Sequence, residues 1–493
     1  MTPALSGIET EYGLVVEGRG VSEQIEDSRR LVELCPRPAF VGWDYRSESP
    51  RADLRGFSVE RLSEDPEDAV FDAGRARSPM SAERADCILT NGARFYNDHG
   101  HPEYSTPECR LLAELVRHDV AGQFLVLQAA QALARERNTE VKIYKNNSDF
   151  HGASFGTHES YLVPRAWGFD RLYAAVTPML IARTVLCGAG KVGSEAHGPV
   201  RYQLSARADF FSERASVDTL YRRPVFNTRD EPHADKSVWA RLHVIAGDAN
   251  MNPGATRRKI GLVRLALRLL EADAVPVWQI PDPARSMMLV SRDLDGEGRI
   301  ELEARNWTTP RQVLESYLDS AEEILTDSPE DGELREVVRE SRELLEARHG
   351  NPDHFRRHVD WAAKRWLLEQ YREDGNLSWD DPALRSVDLS YHDVDPETGL
   401  YFALVDAGEA ESLPAIGNAL EQVSEPTRAR ARGLAVARFA EQLKTASWGS
   451  LVFQRPDEDD LWEVLLPPDR RYDDALFGVD SLEEFLRALS QPS

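Results

Sequence analysis

Asn91-Gly-Ala-Arg94-Phe-Tyr96-Asn-Asp98-His-Gly-His101-Pro-Glu103-Tyr-Ser-Thr106 alternates through its first half. Side chains of an extended strand repeat every two residues, so Arg94, Tyr96 and Asp98 share one face while Phe95 and Asn97 take the other. A cation, a phenol and a carboxylate in a row are poor core material. Each buried polar group left unpaired costs roughly 1–3 kcal/mol, and a charge costs more. This face therefore meets water or lines a polar site, and the spacing alone leaves both open. The His-Pro-Glu-Tyr-Ser-Thr that follows adds ligand-type and hydroxyl side chains within one short turn. One strand over 86–98 is the predicted element.

Two other segments repeat the pattern. In Gly7-Ile-Glu9-Thr-Glu11-Tyr-Gly13 both carboxylates project from the same face of a strand. Like charges that close are unfavourable unless a cation lies between them, and Mg²⁺ favours such oxygen ligands. An exposed acidic edge is the plainer alternative. In Arg241-Leu-His243-Val-Ile-Ala-Gly247, Arg241 and His243 share one face, and Leu242, Val244 and Ala246 share the other. His158, in Gly156-Thr157-His158-Glu159, is a further metal or phosphate candidate, although a lone histidine more often has a structural role.

Around these strands, amphipathic helices are predicted at about 22–35, 119–137, 170–187, 255–272, 311–326, 333–348 and 354–373. The wide apolar side of 255–272 marks it as core, with Arg257, Arg264, Arg268 and Glu271 on a narrow polar stripe. The basic helix 354–373 reads as a solvated face rather than a docking surface. Residues 43–82 lack sustained periodicity and read as a long mobile insertion. A composition shift at 413–426 divides the chain into a large domain, 1–415, and a small C-terminal one, 416–493. Gly188-Ala-Gly-Lys-Val-Gly193 lacks the spacing of a phosphate loop.

Bulk properties exclude several classes. With 493 residues, 41% hydrophobic, the chain can bury a large core. Its net charge of −25 is the wrong sign for a duplex nucleic-acid binder. Four cysteines without a CxxC pair indicate isolated reduced thiols, and hence a cytoplasmic protein. No apolar run approaches the roughly 18 residues of a membrane span, and the N-terminus carries no export signal.

Taken together, the strands describe one sheet face of Glu, Arg, Tyr, Asp and His, able to hold Mg²⁺ and polyphosphate. On that surface Asp98 is either a nucleophile or a general base. The residues alone stop at a metal- and phosphate-binding enzyme of unspecified substrate.

The stretches GIETEYG (7–13), NGARFYNDHGHPEYSTPE (91–108), KNNSDFHGASFGTHESYL (145–162), NTRDEPHAD (227–235), RLHVIAGDAN (241–250), NLSW (376–379) and ASW (446–448) go further. Through them the chain resembles the Dop/Pup ligase family of the glutamine synthetase-like carboxylate–amine ligase superfamily. The resemblance implies an α+β fold: a twisted, largely antiparallel sheet cradle backed by helices, with a small C-terminal domain. It implies Asp98 as the catalytic residue. Glu9, Glu11, Tyr96, Glu103, His158 and His243 become magnesium candidates, and Arg94, Thr106, Arg207, Arg229 and Trp448 become ATP contacts. It also implies a Pup-like protein modifier and its conjugates as partners.

Within the family, Trp43 to Phe57 resembles the loop of the depupylase branch, and so does Gly152 to His158, whereas Gly7 to Glu11 and Cys187 to Lys191 look more like the ligase. The long loop decides for an ATP- and Mg²⁺-dependent depupylase and Pup deamidase. A Pup-type ligase is the main alternative; a non-catalytic binder of tagged proteins and a small-molecule carboxylate–amine ligase are weaker ones. Asn97 and Ser160 depart from the family pattern. Asn97 is expected to alter packing, and Ser160 to alter substrate contacts.

Overall fold

Nine strands form the central sheet of the protein. A computed structural model describes residues 5–62, 85–149, 154–195, 200–295, 298–303, 306–454 and 460–490. The strands are β1 (Ser6–Glu11), β2 (Ala39–Phe40), β3 (Asp86–Leu89), β4 (Arg94–Asp98), β5 (His101–Ser105), β6 (Thr157–Pro164), β7 (Phe211–Ser216), β8 (Arg223–Asn227) and β9 (Trp239–Gly247). Their spatial order is β7-β8-β9-β6-β1-β5-β4-β3-β2. Every neighbouring pair is antiparallel except β7 with β8. The expected α+β architecture, a largely antiparallel sheet with helices, is the one observed.

The predicted single strand over 86–98 is two strands. Thr90–Ala93 makes a tight turn between β3 and β4, in which Gly92 has φ 79°. A side chain there would meet the Ala429 carbonyl at 2.3 Å, so the turn needs glycine on both counts. Asn91 holds the turn by accepting from Ala93 N at 2.9 Å and donating to the Ala419 carbonyl at 2.7 Å. Between β4 and β5 the loop is only His99-Gly100, both with positive φ (48° and 90°), as a twisted two-residue hairpin requires.

Strand alternation sorts the two faces. Along β6 burial alternates residue by residue, as expected for a sheet with one apolar and one polar side. Ile8, Tyr161, Leu242 and Val244 enter one core with helices α3 (Gly168–Ala182) and α4 (Pro253–Glu271). Phe95 and Tyr104 enter a second with α1 (Gln24–Glu33) and α2 (Leu112–Arg137). A third core joins Trp43 and Ile88 to α6 (Arg428–Phe439) and to a small sheet of Leu443–Ala446, Ser450–Gln454 and Leu461–Leu465.

Several helices differ from expectation for local reasons. α2 begins at Leu112 rather than 119. Its first amides find carboxylates supplied by distant segments: Glu333 accepts from Leu112 N at 2.7 Å and Ala113 N at 3.0 Å, and Glu425 accepts from Arg110 N at 2.9 Å. The basic helix is two, Pro352–His358 and Asp360–Asp374. It is not simply solvated, since Lys364 is buried against Asp388 at 2.5 Å. The polar stripe of α4 is covered by α5 (Pro329–Gly350), with Arg257 paired to Glu336 at 3.2 Å and Arg268 to Asp331 at 3.2 Å.

Of the expected insertion 43–82, residues 43–62 lie across the edge of the site, and 63–82 fall outside the described residues. Asp44 N donates to the Ala446 carbonyl, Leu54 N to the Thr228 carbonyl, and Asp53 forms an antiparallel bridge with Arg229. Among the described residues no helix is long and apolar enough to cross a membrane, and all four cysteines are free.

Candidate active site

Register across the sheet gathers the polar face. Glu9 pairs with His158 and Ser105, Glu11 with Glu103, and Tyr96 with Glu103, while His243 pairs with Ser160. Directly opposed residues share a face, so side chains separated by up to 234 positions meet on one surface.

Two groups result. Glu9, His158 and His243 bring one potential ligand atom each within 4.8 Å of one another, and so do Glu11, Asp98 and Glu103. His158 lies between the groups, with Nδ1 3.7 Å from Glu9 and Nε2 3.9 Å from Glu11. The Tyr96 hydroxyl donates to Glu103 at 2.5 Å. All six magnesium candidates and Asp98 are thus neighbours.

The electrostatics of the two groups differ. Burial opposes the charge of Glu9, but Arg241, whose Nη2 is 2.8 Å away, together with His158 and His243 holds this carboxyl well below its ordinary range. Glu103 goes the other way: burial first, then Asp98, Glu11 and Glu9, push it well above. Desolvation also works against Asp98, but the His99 ring at 3.1 Å, with His158 and Arg94, keeps it below the usual carboxylate range. His99 rises in turn to about 9 through Asp98. Burial and then Arg241 push His243 far down, so its ring is neutral and its Nε2 is buried with no hydrogen-bond partner among the described residues. A neutral imidazole nitrogen beside a carboxylate, and three crowded carboxylates, are a donor set that a divalent cation would satisfy.

Of the five nucleotide candidates, only two share a cavity. Thr106 and Trp448 line one cavity of about 80 Å³ together with Glu9, Ile8, Leu162 and Pro232. Thr106 Oγ1 also accepts from Ile8 N at 3.0 Å, which fixes β1. Arg207 is fully buried, and its Nε and Nη1 have no hydrogen-bond partner among the described residues. Burial lowers the pKa of Arg207 against the opposing pull of Glu11 and Asp248. Arg229 donates to Thr219 at 3.1 Å, while its Nε has no hydrogen-bond partner among the described residues. Arg94 is not open: its guanidinium lies 3.9 Å from the Tyr96 ring and 4.1 Å from the Trp43 ring, and it donates to the Tyr45 hydroxyl at 3.1 Å.

Sequence reasoning named Arg241 for its face but not for its task, which is to hold Glu9 and, through Nε at 3.1 Å, the Ser160 hydroxyl. It also passed over His99, the counter-charge of Asp98, and Glu108, which is clamped by Arg428 at 2.7 Å and Arg432 at 2.6 Å. The adjacency of His99 to Asp98 was a usable signal; the Glu108 clamp spans some 320 residues and left none.

The family described as "Pup-ligase protein" matches residues 4–452. The chain is 37% identical to a depupylase of Acidothermus cellulolyticus over 93% of this chain and 92% of that protein. It is 38% identical to a Pup–protein ligase of Micrococcus luteus over 73% of this chain and 81% of that one. Among solved structures it is similar to the ligase PafA in complex with Pup (TM-score 0.78, 27% identity, 99% of this chain and 92% of that one). It is also similar to PafA in complex with ADP (TM-score 0.72, 29% identity, 88% and 96%). The chain belongs to the Pup-ligase protein family.

Proposed function

We propose that this protein hydrolyses amide bonds of a Pup-like protein modifier. It would cleave the isopeptide bond to a substrate lysine and deamidate a C-terminal glutamine of the modifier, with ATP and Mg²⁺ as cofactors, in the cytoplasm. One observation carries the choice of hydrolysis over ligation. Similarity to the depupylase runs through 93% of the chain, whereas the ligase match stops at 73% for nearly equal identity.

The residues fit the reaction class. Glu9, His158 and His243 would hold one cation, and Glu11, Glu103 and Tyr96 a second, beside Asp98. A bound magnesium supplies positive charge that neutralises phosphate and developing oxyanion charge. Thr106 and Trp448 would border the nucleotide, Arg207 and Arg229 would face its phosphates, and Arg94, held in its ring stack, would flank them. Asp98, kept ionised by His99, either attacks the amide carbonyl or takes a proton from water. The large unit, 1–415, would carry the chemistry, and the unit 416–493 would bring Trp448 to it.

The test is incubation of a purified Pup–substrate conjugate with ATP and Mg²⁺, followed on a gel. Release of free substrate by the native protein, lost in Asp98→Asn, is the expected result. ADP produced one-for-one with new conjugate would instead make the protein a ligase.

A further inference from the structure

Two candidate nucleotide contacts, Arg94 and Trp448, belong to different parts of the chain, yet one stack of side chains joins them. The Arg94 guanidinium sits 3.9 Å from the Tyr96 ring and 4.1 Å from the Trp43 ring. Trp43 meets Trp448 edge-on, with ring centroids 5.0 Å apart and planes at 72°. Beyond Trp448 lies the Arg432 guanidinium, 4.7 Å from its ring. The stack thus runs from Tyr96 through Arg94 to the Trp43–Trp448 ring pair and ends on Arg432, with each cation over a ring.

The stack closes on itself through the backbone. Arg432 is fully buried, donates to the Trp448 carbonyl at 3.0 Å, and donates through Nε to the Gly92 carbonyl at 2.8 Å. Gly92 lies in the turn into β4, the strand that carries Arg94, Tyr96 and Asp98. At the centre, Trp43 is fixed by hydrogen bonds, not only by contact. Its backbone N donates to Asp86 at 3.1 Å, and its indole Nε1 donates to Glu48 at 3.0 Å. Glu48 in turn lies 3.7 Å from Arg94.

We infer that Trp43 is a positioning residue for the nucleotide site: the central plate of a cation–π stack that sets Arg94 and Trp448 at a fixed separation and ties both to the catalytic strand. Trp43 need not touch the nucleotide. It supplies a ring both to the Arg94 cation and to the edge-on contact with Trp448, and an aliphatic side chain of similar reach cannot do so. This inference rests on the reading of Arg94 and Trp448 as nucleotide contacts.

Titration calorimetry of the full chain with ADP and Mg²⁺, together with steady-state depupylation, tests it. Trp43→Leu is expected to raise the ADP dissociation constant and the KM for ATP tenfold or more, while kcat at saturating ATP falls less than threefold. Trp43→Phe, which keeps a ring, recovers most of that affinity. Should Leu at 43 lower the folded yield, Trp43→Met gives the same aliphatic comparison. Native-like ADP affinity in the aliphatic variant, or equal losses for Leu and Phe, overturns the stack as a positioning device. If the native protein itself binds no ADP, the nucleotide reading falls and takes this role with it; native binding beside an unaltered aliphatic variant defeats the stack alone.

Discussion

The two faces of the central sheet treat buried carboxylates differently. On the helix side, Glu159 of β6 receives Arg183 at 2.5 Å, and Asp119 of α2 receives Lys145 at 2.6 Å. Both of these acids have their own cation within the fold. On the open side, Glu11, Asp98 and Glu103 converge, and Glu103 is met by the Tyr96 hydroxyl and by no cation among the described residues. Breaking a buried pair leaves a bare charge, whereas relieving a crowd of like charges stabilises. The same residue type is therefore structural behind the sheet and poised for ligand charge in front of it.

Substitutions on either side can break that contrast. Asp98→Asn is expected to lower depupylation by about 10³–10⁴-fold, or 4–5.5 kcal/mol of barrier, with ADP binding retained in calorimetry; residual activity within tenfold of native would remove Asp98 from the chemistry. Arg183→Met should cost about 3–5 kcal/mol in urea denaturation, because Glu159 stays buried without its partner. Glu103→Gln should do the reverse, raising the stability of the Mg²⁺-free protein by about 1–2 kcal/mol while weakening Mg²⁺-dependent thermal stabilisation. Loss of stability in that variant would mean that the open side is paired like the helix side.

A smaller effect lies outside both groups. Burial raises the Glu425 carboxyl to about 7 from 4.5. Its folded-state pKa is the higher one, so its contribution is fully present below pH 4.5 and is lost as pH rises through 7. Glu425→Gln should flatten the pH dependence of unfolding across that window, by on the order of 1 kcal/mol.

Most of the site was legible because a strand writes its two faces into the sequence. Glu9 with Glu11, Arg94 with Tyr96 and Asp98, and Arg241 with His243 could each be assigned a face from spacing alone, and the sheet register places those faces together. What spacing does not encode is the partner. The turn at Asn91-Gly92 is the exception: Asn-Gly is a local turn signal, with a local bond from Ala93 N, and only its contacts to Ala419 and Ala429 are distant. Trp43 looked like the start of a structureless insertion because its neighbours, Arg94 and Trp448, are 51 and 405 residues away. The basic helix looked solvated because Asp388, which neutralises Lys364, lies on another helix.

The start of α2 bears on how the chain reaches its native state. Its leading amides are satisfied by Glu333 and Glu425, 220 and 315 positions downstream. During synthesis the helix core can form early, but its first two amides stay unpaired until Glu333 has been made, and those of Arg110 and Leu111 just before it until Glu425 has. Closure of these long-range contacts is a late and slow event, as expected where contact order is high. A chain stopped short of residue 425 would carry every residue of both ligand groups and still leave the entry to the helix behind them unfinished.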